Sequence, residues 1–488
     1  RMDRRIWPPE AMALLTDYYQ LTMMAGYVHH GRQDTPAVFE YFFRALPSHT
    51  GFCVFAGLGD LLDDLENLHF SADAVEWLRS LGTFPDEFLD WLPEFRFRGE
   101  VWAMPEGTPV FPHEPIVRVH GGIAEAQLIE TLLLNRLNFQ TLVATKAARV
   151  CFAAEGDPVI EFGLRRAQGP DGALSASRAA YIGGCCGTSN VLAGKLLGIP
   201  VLGTMAHSWI MSYPDEKTAF QAYLDVFPKN PVLLIDTYDT AANGLPAALD
   251  VLQARRKQGW EGRAAVRLDS GDLAYLSKLA HRTLAEAGFE DPLIVGSNDL
   301  DEELIADLKR QGARINSWGV GTHLVTGGSE PALSGVYKLV AVAENGRMTS
   351  KMKVSSNIEK TTDPGPKRVV RYYRADGAPV GDVLLALDEE LPAGKLCVSH
   401  NRVEYARTRT FGPELKSVEM LQCVLRDGRR VAPGPDIHTI RAYAQERIAE
   451  LTPEMRRLRN PERYWVGLST RVADEKAAEI SRLTEAAR

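Results

Sequence analysis

From about residue 155 to 335 the chain repeats one pattern: a short apolar run, a polar or glycine-rich joint, then a stretch with apolar residues at helical spacing. The apolar runs are "DPVIEFG", "IPVLGT", "PVLLIDT", "RAAVRLDSG", "PLIVGSND" and "RINSWGVGT". Between them, Ala219, Phe220, Tyr223, Leu224 and Phe227 share one helical face, and Leu273, Leu276, Ala280 and Leu284 share another. "DEELIADLKRQG" begins acidic and stops at Gly312, as helices prefer. Strands alternating with helices of this length predict a parallel sheet. Six to eight such units favour an irregular, TIM-like (β/α) barrel over an open sheet. Residues just past the carboxyl ends of barrel strands form the active face. His207, Arg165 with Arg166, Asp236, Asp269 with Asp272, Asn298 with Asp299, and Gly319 to Thr322 all fall there.

The flanks follow other patterns. Residues 1–150 mix helix-like "AMALLTDYYQLTMMAGYVHHG" with alternating "AVFEYFFRALP" and "VWAMPEGTPVFPHEPIVRVHG". This predicts an N-terminal α/β domain, completed in space by residues 336–410, where short strands and Gly/Pro turns return. The barrel is expected over 151–335 and a mostly helical segment over 411–488. No internal repeat or low-complexity tract interrupts the chain.

Composition narrows the class. A chain of 488 residues with 45% hydrophobic and 24% charged residues reads as a multi-domain globular protein. A net charge of −8 argues against general nucleic-acid binding, so an anionic ligand needs locally placed arginines and lysines. The six cysteines form no CxxC pair and no metal-ligand spacing with histidine, as in a reduced cytosolic enzyme. No apolar run approaches the ~20 residues that span a bilayer, and no signal peptide is visible. The expected location is cytoplasmic.

Candidate chemistry centres on "IPVLGTMAHSWIMSYPDE". A lone histidine is more often a satisfied core residue than a catalyst. His207, however, follows a strand end among small residues that leave room for a ligand. A metal role is disfavoured because His323, the nearest candidate partner, stands alone on its loop. In "VRLDSGDL", Ser270 or Asp272 serves as a helix cap. Arg267, between Val266 and Leu268, is costly there unless it meets an anion. "GVGTHLVT" offers a glycine turn whose N–H groups suit phosphate. With Leu324 at the third glycine position it is not a dinucleotide fingerprint, and "GTSNVLAGKL" is not a P-loop. Phe162 with Arg165 and Arg166 suits a flat anionic ring. Residues alone thus reach an enzyme acting on a phosphorylated, nucleotide-like anion.

These same stretches resemble the nicotinate phosphoribosyltransferases nearly end to end. The likeness runs through "LLTDYYQLTMMAGY", "PEGTPVFPHEP", "NFQTLVATKAAR", "EFGLRRAQGPDG", "SNVLAGKLLGIPVLGTMAHS", "VRLDSGDL", "SNDLDE", "GVGTHLVT" and "GVYKLV". The resemblance implies a type II phosphoribosyltransferase fold. The implied reaction joins nicotinate to phosphoribosyl pyrophosphate, giving nicotinate mononucleotide and pyrophosphate for NAD salvage. It also implies coupled hydrolysis of ATP, with His207 transiently phosphorylated. By the same resemblance, Tyr19 and Phe162 sandwich the pyridine ring, and Thr204 and Arg267 line its pocket. Arg165 meets the ring or the phosphate, Asp269 the ribose or its Mg²⁺, and Gly321 and Thr322 the 5-phosphate. A homodimer with shared active sites is implied too, Tyr19 covering a neighbour's ring.

The rivals are a nicotinamide- or a quinolinate-using relative. The first would need an acid near Ser189, where Thr188, Ser189 and Asn190 stand instead. The second would be shorter and more basic around its dicarboxylate. A barrel metallohydrolase or aldolase would need clustered ligands or a strand-end lysine, and a mere phosphate binder would have no need of His207. No role is assigned to Cys185 or Cys186.

Overall fold

The computed structural model describes residues 7–229, 231–355, 360–391, 394 and 396–486. They form a mixed α/β protein of two compact units, residues 143–331 and residues 7–142 with 332–486.

The first unit holds the repeating pattern. Its strands are β1 (Val159–Glu161), β2 (Gly187–Thr188), β3 (Leu233–Leu234), β4 (Ala265–Leu268), β5 (Leu293–Gly296) and β6 (Ser317–Val320). They pair in parallel in the order β2-β1-β6-β5-β4-β3. A single parallel bridge from Thr188 adds Val201 at the β2 edge. That is the cyclic order a (β/α) barrel would have. Among the described residues, however, no ladder joins Val201 to β3, so the expected closed barrel is not seen and the sheet is open at that seam. The run Ile199–Leu202 shows why. It reads as a buried strand, yet Val201 is 49% and Leu202 38% exposed. Among the described residues no strand pairs on their far side, so these apolar side chains stay partly exposed beyond their contacts at Gly187 and Gly194, and one bridge is seen.

The helices between strands follow the predicted faces closely. Helix Glu216–Val226 buries Ala219, Phe220 and Leu224, while Phe227 lies past its end and is exposed. Helix Leu273–Glu286 buries Leu273, Ala274, Ser277, Ala280 and Leu284. Asp272 caps it, accepting from Tyr275 N at 2.9 Å. Helix Glu302–Arg310 opens on Glu302 and Glu303 and closes on Lys309 and Arg310, as the helix dipole favours.

In the second unit a seven-stranded antiparallel sheet has Pro36–Phe43 near its middle, paired with Gly335–Glu344 and Val117–Gly122. A six-stranded sheet includes Lys367–Tyr373, Pro379–Ala386, Cys397–Asn401 and Val466–Ser469. Residues 411–488, expected as a mostly helical piece of their own, instead supply strands Lys416–Glu419, Gln422–Arg426, Arg429–Arg430 and Val466–Ser469 to these sheets. Helices Ile437–Glu450 and Thr470–Ala486 account for the helical part. The charge density along this segment hid strands that, apart from Arg429–Arg430 paired locally with Gln422–Arg426, take partners from elsewhere in the chain. Among the described residues no helix is long and apolar enough to cross a membrane.

Candidate active site

At the end of β4 a single arginine organises the site. Arg267 is half-buried and its guanidinium is held on every edge. Nε donates to Ser297 Oγ at 2.9 Å, Nη1 to Thr204 Oγ1 at 2.8 Å and to Met205 O at 3.3 Å, and Nη2 to Asp269 Oδ1 at 2.9 Å. Its cost of burial is therefore offset from within by Asp269, and an external anion is not required to explain it. That corrects the inference drawn from its apolar neighbours alone. Fork geometry still leaves N–H capacity on Nη2, and the guanidinium carbon lies 5.7 Å from the centre of the Phe162 ring.

Asp269 sits two residues on, where the strand turns towards its helix. Oδ1 takes Arg267 and the Ser297 hydroxyl, the latter at 2.5 Å. Oδ2 faces His207 Nε2 at 3.7 Å, longer than a hydrogen bond. Asp236, past β3, props the turn from behind, its Oδ2 accepting from Asp269 N at 2.6 Å and Ser270 Oγ at 2.8 Å. His207 opens the helix His207–Met211, and its Nδ1 lies 3.1 Å from Thr237 Oγ1. One ring nitrogen is thus occupied by a hydroxyl while the other points at a carboxylate and at solvent. About two-fifths of the imidazole is exposed.

Phe162 owes its place to the strand beside it. A Cβ on Gly319 would fall 2.4 Å from the Phe162 ring, so only glycine at that point of β6 lets the ring lie across it. Beneath the ring, Glu161 is 1% exposed and ties three elements together. It accepts from Gly163 N, from Ser177 Oγ at 2.8 Å and from Thr188 Oγ1 at 2.5 Å. Arg165 and Arg166 follow in the turn Leu164–Arg166, both exposed and without an ion-pair partner among the described residues. Gly321 precedes Thr322, the first residue of the short helix Thr322–Val325. After β5, Asn298 and Asp299 take consecutive left-handed conformations, with φ of 89° and 48°. Asn and Asp tolerate that region better than most side chains, and such turns cluster at functional sites.

The structure therefore joins Thr204, Arg267 and Asp269 by hydrogen bonds, with His207 facing Asp269 at 3.7 Å and the Phe162 ring against Arg267. Arg165, Gly321 and Thr322 stand on strand-end joints of the same unit. Tyr19 belongs to the other unit, on the helix Tyr18–His29, and is half exposed. Sequence reasoning missed Ser297, Thr237 and Glu161. The strand-end position of Ser297 and Thr237 was a usable signal, but both are ordinary turn residues by type.

The comparisons with known proteins cover nearly the whole chain. The nicotinate phosphoribosyltransferase N-terminal domain matches residues 14–138, the nicotinate phosphoribosyltransferase family residues 158–370, and the C-terminal domain residues 366–476. The nicotinate phosphoribosyltransferase of Bacillus subtilis is 42% identical over 461 residues, which is 94% of this chain and 93% of that protein. The human one is 36% identical and spans 95% of this chain and 96% of its own. A crystal structure of human nicotinic acid phosphoribosyltransferase superimposes with a TM-score of 0.82 at 33% identity, over 95% of this chain and 99% of that one. A nicotinate-nucleotide pyrophosphorylase from Pyrococcus furiosus shares the fold, with a TM-score of 0.68 at 23% identity. The motifs around Phe162, His207, Arg267 and Gly321 lie inside these matches, and the chain belongs to the nicotinate phosphoribosyltransferase family.

Proposed function

We propose that this chain joins nicotinate to phosphoribosyl pyrophosphate in NAD salvage, with hydrolysis of ATP coupled to the transfer through phosphorylation of His207. Family membership carries the transfer. The observation that supports the coupling is the placement of His207, with Nδ1 engaged by Thr237 and Nε2 facing Asp269 from a partly exposed strand-end helix.

In this scheme Phe162 supports one face of the pyridine ring, and Arg267 and Thr204 orient its carboxylate. Arg165, Gly321 and Thr322 receive the phosphoribosyl phosphates. The ring nitrogen forms its bond to ribose C1 as the C1–O bond to pyrophosphate breaks, and Asp269 stabilises the positive charge that develops on the ribose. In the ATP half-reaction the Nε2 lone pair attacks the γ-phosphorus. An Nε2–P bond forms, the bond to ADP breaks, and the proton stays on Nδ1, which donates it in a hydrogen bond to Thr237 Oγ1. Water later cleaves the phosphoramidate and releases phosphate. Holding Nδ1 fixes which nitrogen reacts.

Among the described residues no group of three or more His, Cys, Asp or Glu side chains could hold a metal. The donor set fits Mg²⁺ carried in by substrate phosphates and touched by the one open carboxylate oxygen of Asp269. Bound so, Mg²⁺ would neutralise charge on the departing pyrophosphate. Glu161, beside the loop where an amide-selective relative would place an acid, is already taken up by three donors, which supports the acid substrate over nicotinamide.

A homodimer fits the exposed apolar side chains of the first unit, Val191, Leu192, Val201 and Met211, and the half-exposed Tyr19. Tyr19 of one chain would then cover the ring held by the other, in the cytoplasm where the reduced cysteines belong. The test is nicotinate mononucleotide formation by the purified protein, with and without ATP. Product should form with nicotinate and rise with ATP. Product from nicotinamide or quinolinate in its place would overturn the substrate assignment.

A further inference from the structure

His207 is carried by a very short helix. His207–Met211 has five residues, and its cap residue Ala206 makes no side-chain hydrogen bond. A helix of that length does not hold itself in water and must be fixed by its neighbours. Ile210 packs inward and is fully buried, but apolar burial has no direction and leaves the turn free to rotate. Trp209 supplies the direction. Its Nε1 donates at 3.0 Å to the carbonyl oxygen of Ala219, a fully buried residue of the helix Glu216–Val226. Its ring centre lies 5.0 Å from that of Tyr213 and 6.1 Å from that of Tyr223, and the Tyr223 ring lies 4.9 Å from Phe227. The receiving helix is itself capped, Asp215 Oδ1 accepting from Thr218 N at 2.8 Å.

We propose that Trp209 is a positioning residue for His207: its N–H on Ala219 and its ring against Tyr213 and Tyr223 set the rotation of the short helix, and with it the direction of the imidazole. Two residues apart on a helix, side chains point about 200° away from each other. Tethering Trp209 on one side therefore turns His207 to the other, where Nδ1 lies 3.1 Å from Thr237 Oγ1 and Nε2 faces Asp269 at 3.7 Å. The Thr237 hydroxyl steadies the ring, and Trp209 steadies the backbone that carries it. A nucleophile displaced by about 1 Å can lose a hundredfold in rate, so this tether bears directly on attack by Nε2.

This rests on the reading of His207 as the phosphoryl acceptor. The test compares wild type with Trp209→Phe, which keeps an aromatic ring without the donor, and Trp209→Ala, which removes both. Circular dichroism confirms folding. The rate of label transfer from γ-labelled ATP should fall about tenfold in Trp209→Phe and about a hundredfold in Trp209→Ala. The KM for nicotinate should stay within about twofold in Trp209→Phe, because the pocket at Arg267 and Phe162 is left as it is. Amide hydrogen exchange over residues 205–213, read by mass spectrometry, should quicken by about tenfold in Trp209→Phe and hold its wild-type rate elsewhere. That readout needs no activity. A wild type that takes no label, with exchange still quickened in Trp209→Phe, would strike the phosphorylation reading and leave the tether standing. Labelling of Trp209→Phe at the wild-type rate, unchanged exchange over 205–213, or a KM that rises in step with the lost labelling would each overturn the proposal.

Discussion

At the scale of single residues, the site is an exercise in giving each side chain one job. Arg267 commits its donors to Ser297, Thr204, Met205 and Asp269, and in the proposed scheme what is left would meet the nicotinate ring. Arg267→Gln should raise the KM for nicotinate about tenfold or more, as loss of a charge-assisted hydrogen bond of ~1.5–3 kcal/mol implies. It should also lower kcat, because Asp269 loses its 2.9 Å partner. Steady-state kinetics with each substrate varied would decide it, and equal rises in both KM values would move Arg267 to the phosphate site. Gly319→Ala makes a cleaner case. The new Cβ would meet the Phe162 ring at 2.4 Å and push it aside, so nicotinate binding should weaken while phosphoribosyl pyrophosphate binding holds. The candidate residues were legible because His207, Arg267 and Asp269 are unusual in their local patterns. Ser297, Thr237 and Asp236 were not readable as scaffolding. A serine or aspartate after a strand looks like a cap, and only the fold decides which carboxylate or guanidinium it meets.

Whole elements show where pattern and packing part company. Amphipathic helices such as Glu216–Val226 and Leu273–Glu286 were plain in the sequence, because their apolar spacing is local. The seam at Val201 was not. An apolar run says that a strand would be favourable, not that a neighbour exists to pair with it. The same holds for most of the C-terminal strands, whose partners lie far away in the chain. There the helix Thr470–Ala486 is pinned through Lys476, which donates to Asp363 Oδ1 at 2.8 Å, while Arg402 Nε reaches Oδ2 at 2.6 Å. Burial alone would raise the Asp363 carboxyl, but Arg402, Lys476 and Lys367 hold it well below the ordinary range. A depressed carboxyl contributes stability that is present above its unfolded pKa of about 3.9 and is lost as pH falls through the folded value. Asp363→Asn should therefore cost about 3–5 kcal/mol near neutrality, since it strands two buried cations. Urea unfolding should show that gap narrowing in acid. A gap unchanged at low pH would mean the loss is one of shape and not of charge.

For the molecule as a whole, a net charge of −8 surrounds a site that must hold several anionic groups, so in the proposed scheme local arginines would carry the binding. A shared-site dimer makes a sharp prediction. When Tyr19→Ala and Arg267→Ala, each nearly inactive, are unfolded and refolded together, half the dimers should be mixed and half their sites intact. Up to about a quarter of wild-type activity should return. No recovery above the parents would place Tyr19 over its own chain's site. The central claim is that ATP acts through His207, and the most direct measurement is transfer of label from γ-labelled ATP to the purified protein. Wild type should carry acid-labile, base-stable label that disappears on adding nicotinate and phosphoribosyl pyrophosphate, and His207→Ala should carry none while keeping a basal, ATP-independent transfer. Equal labelling of wild type and His207→Ala would contradict it.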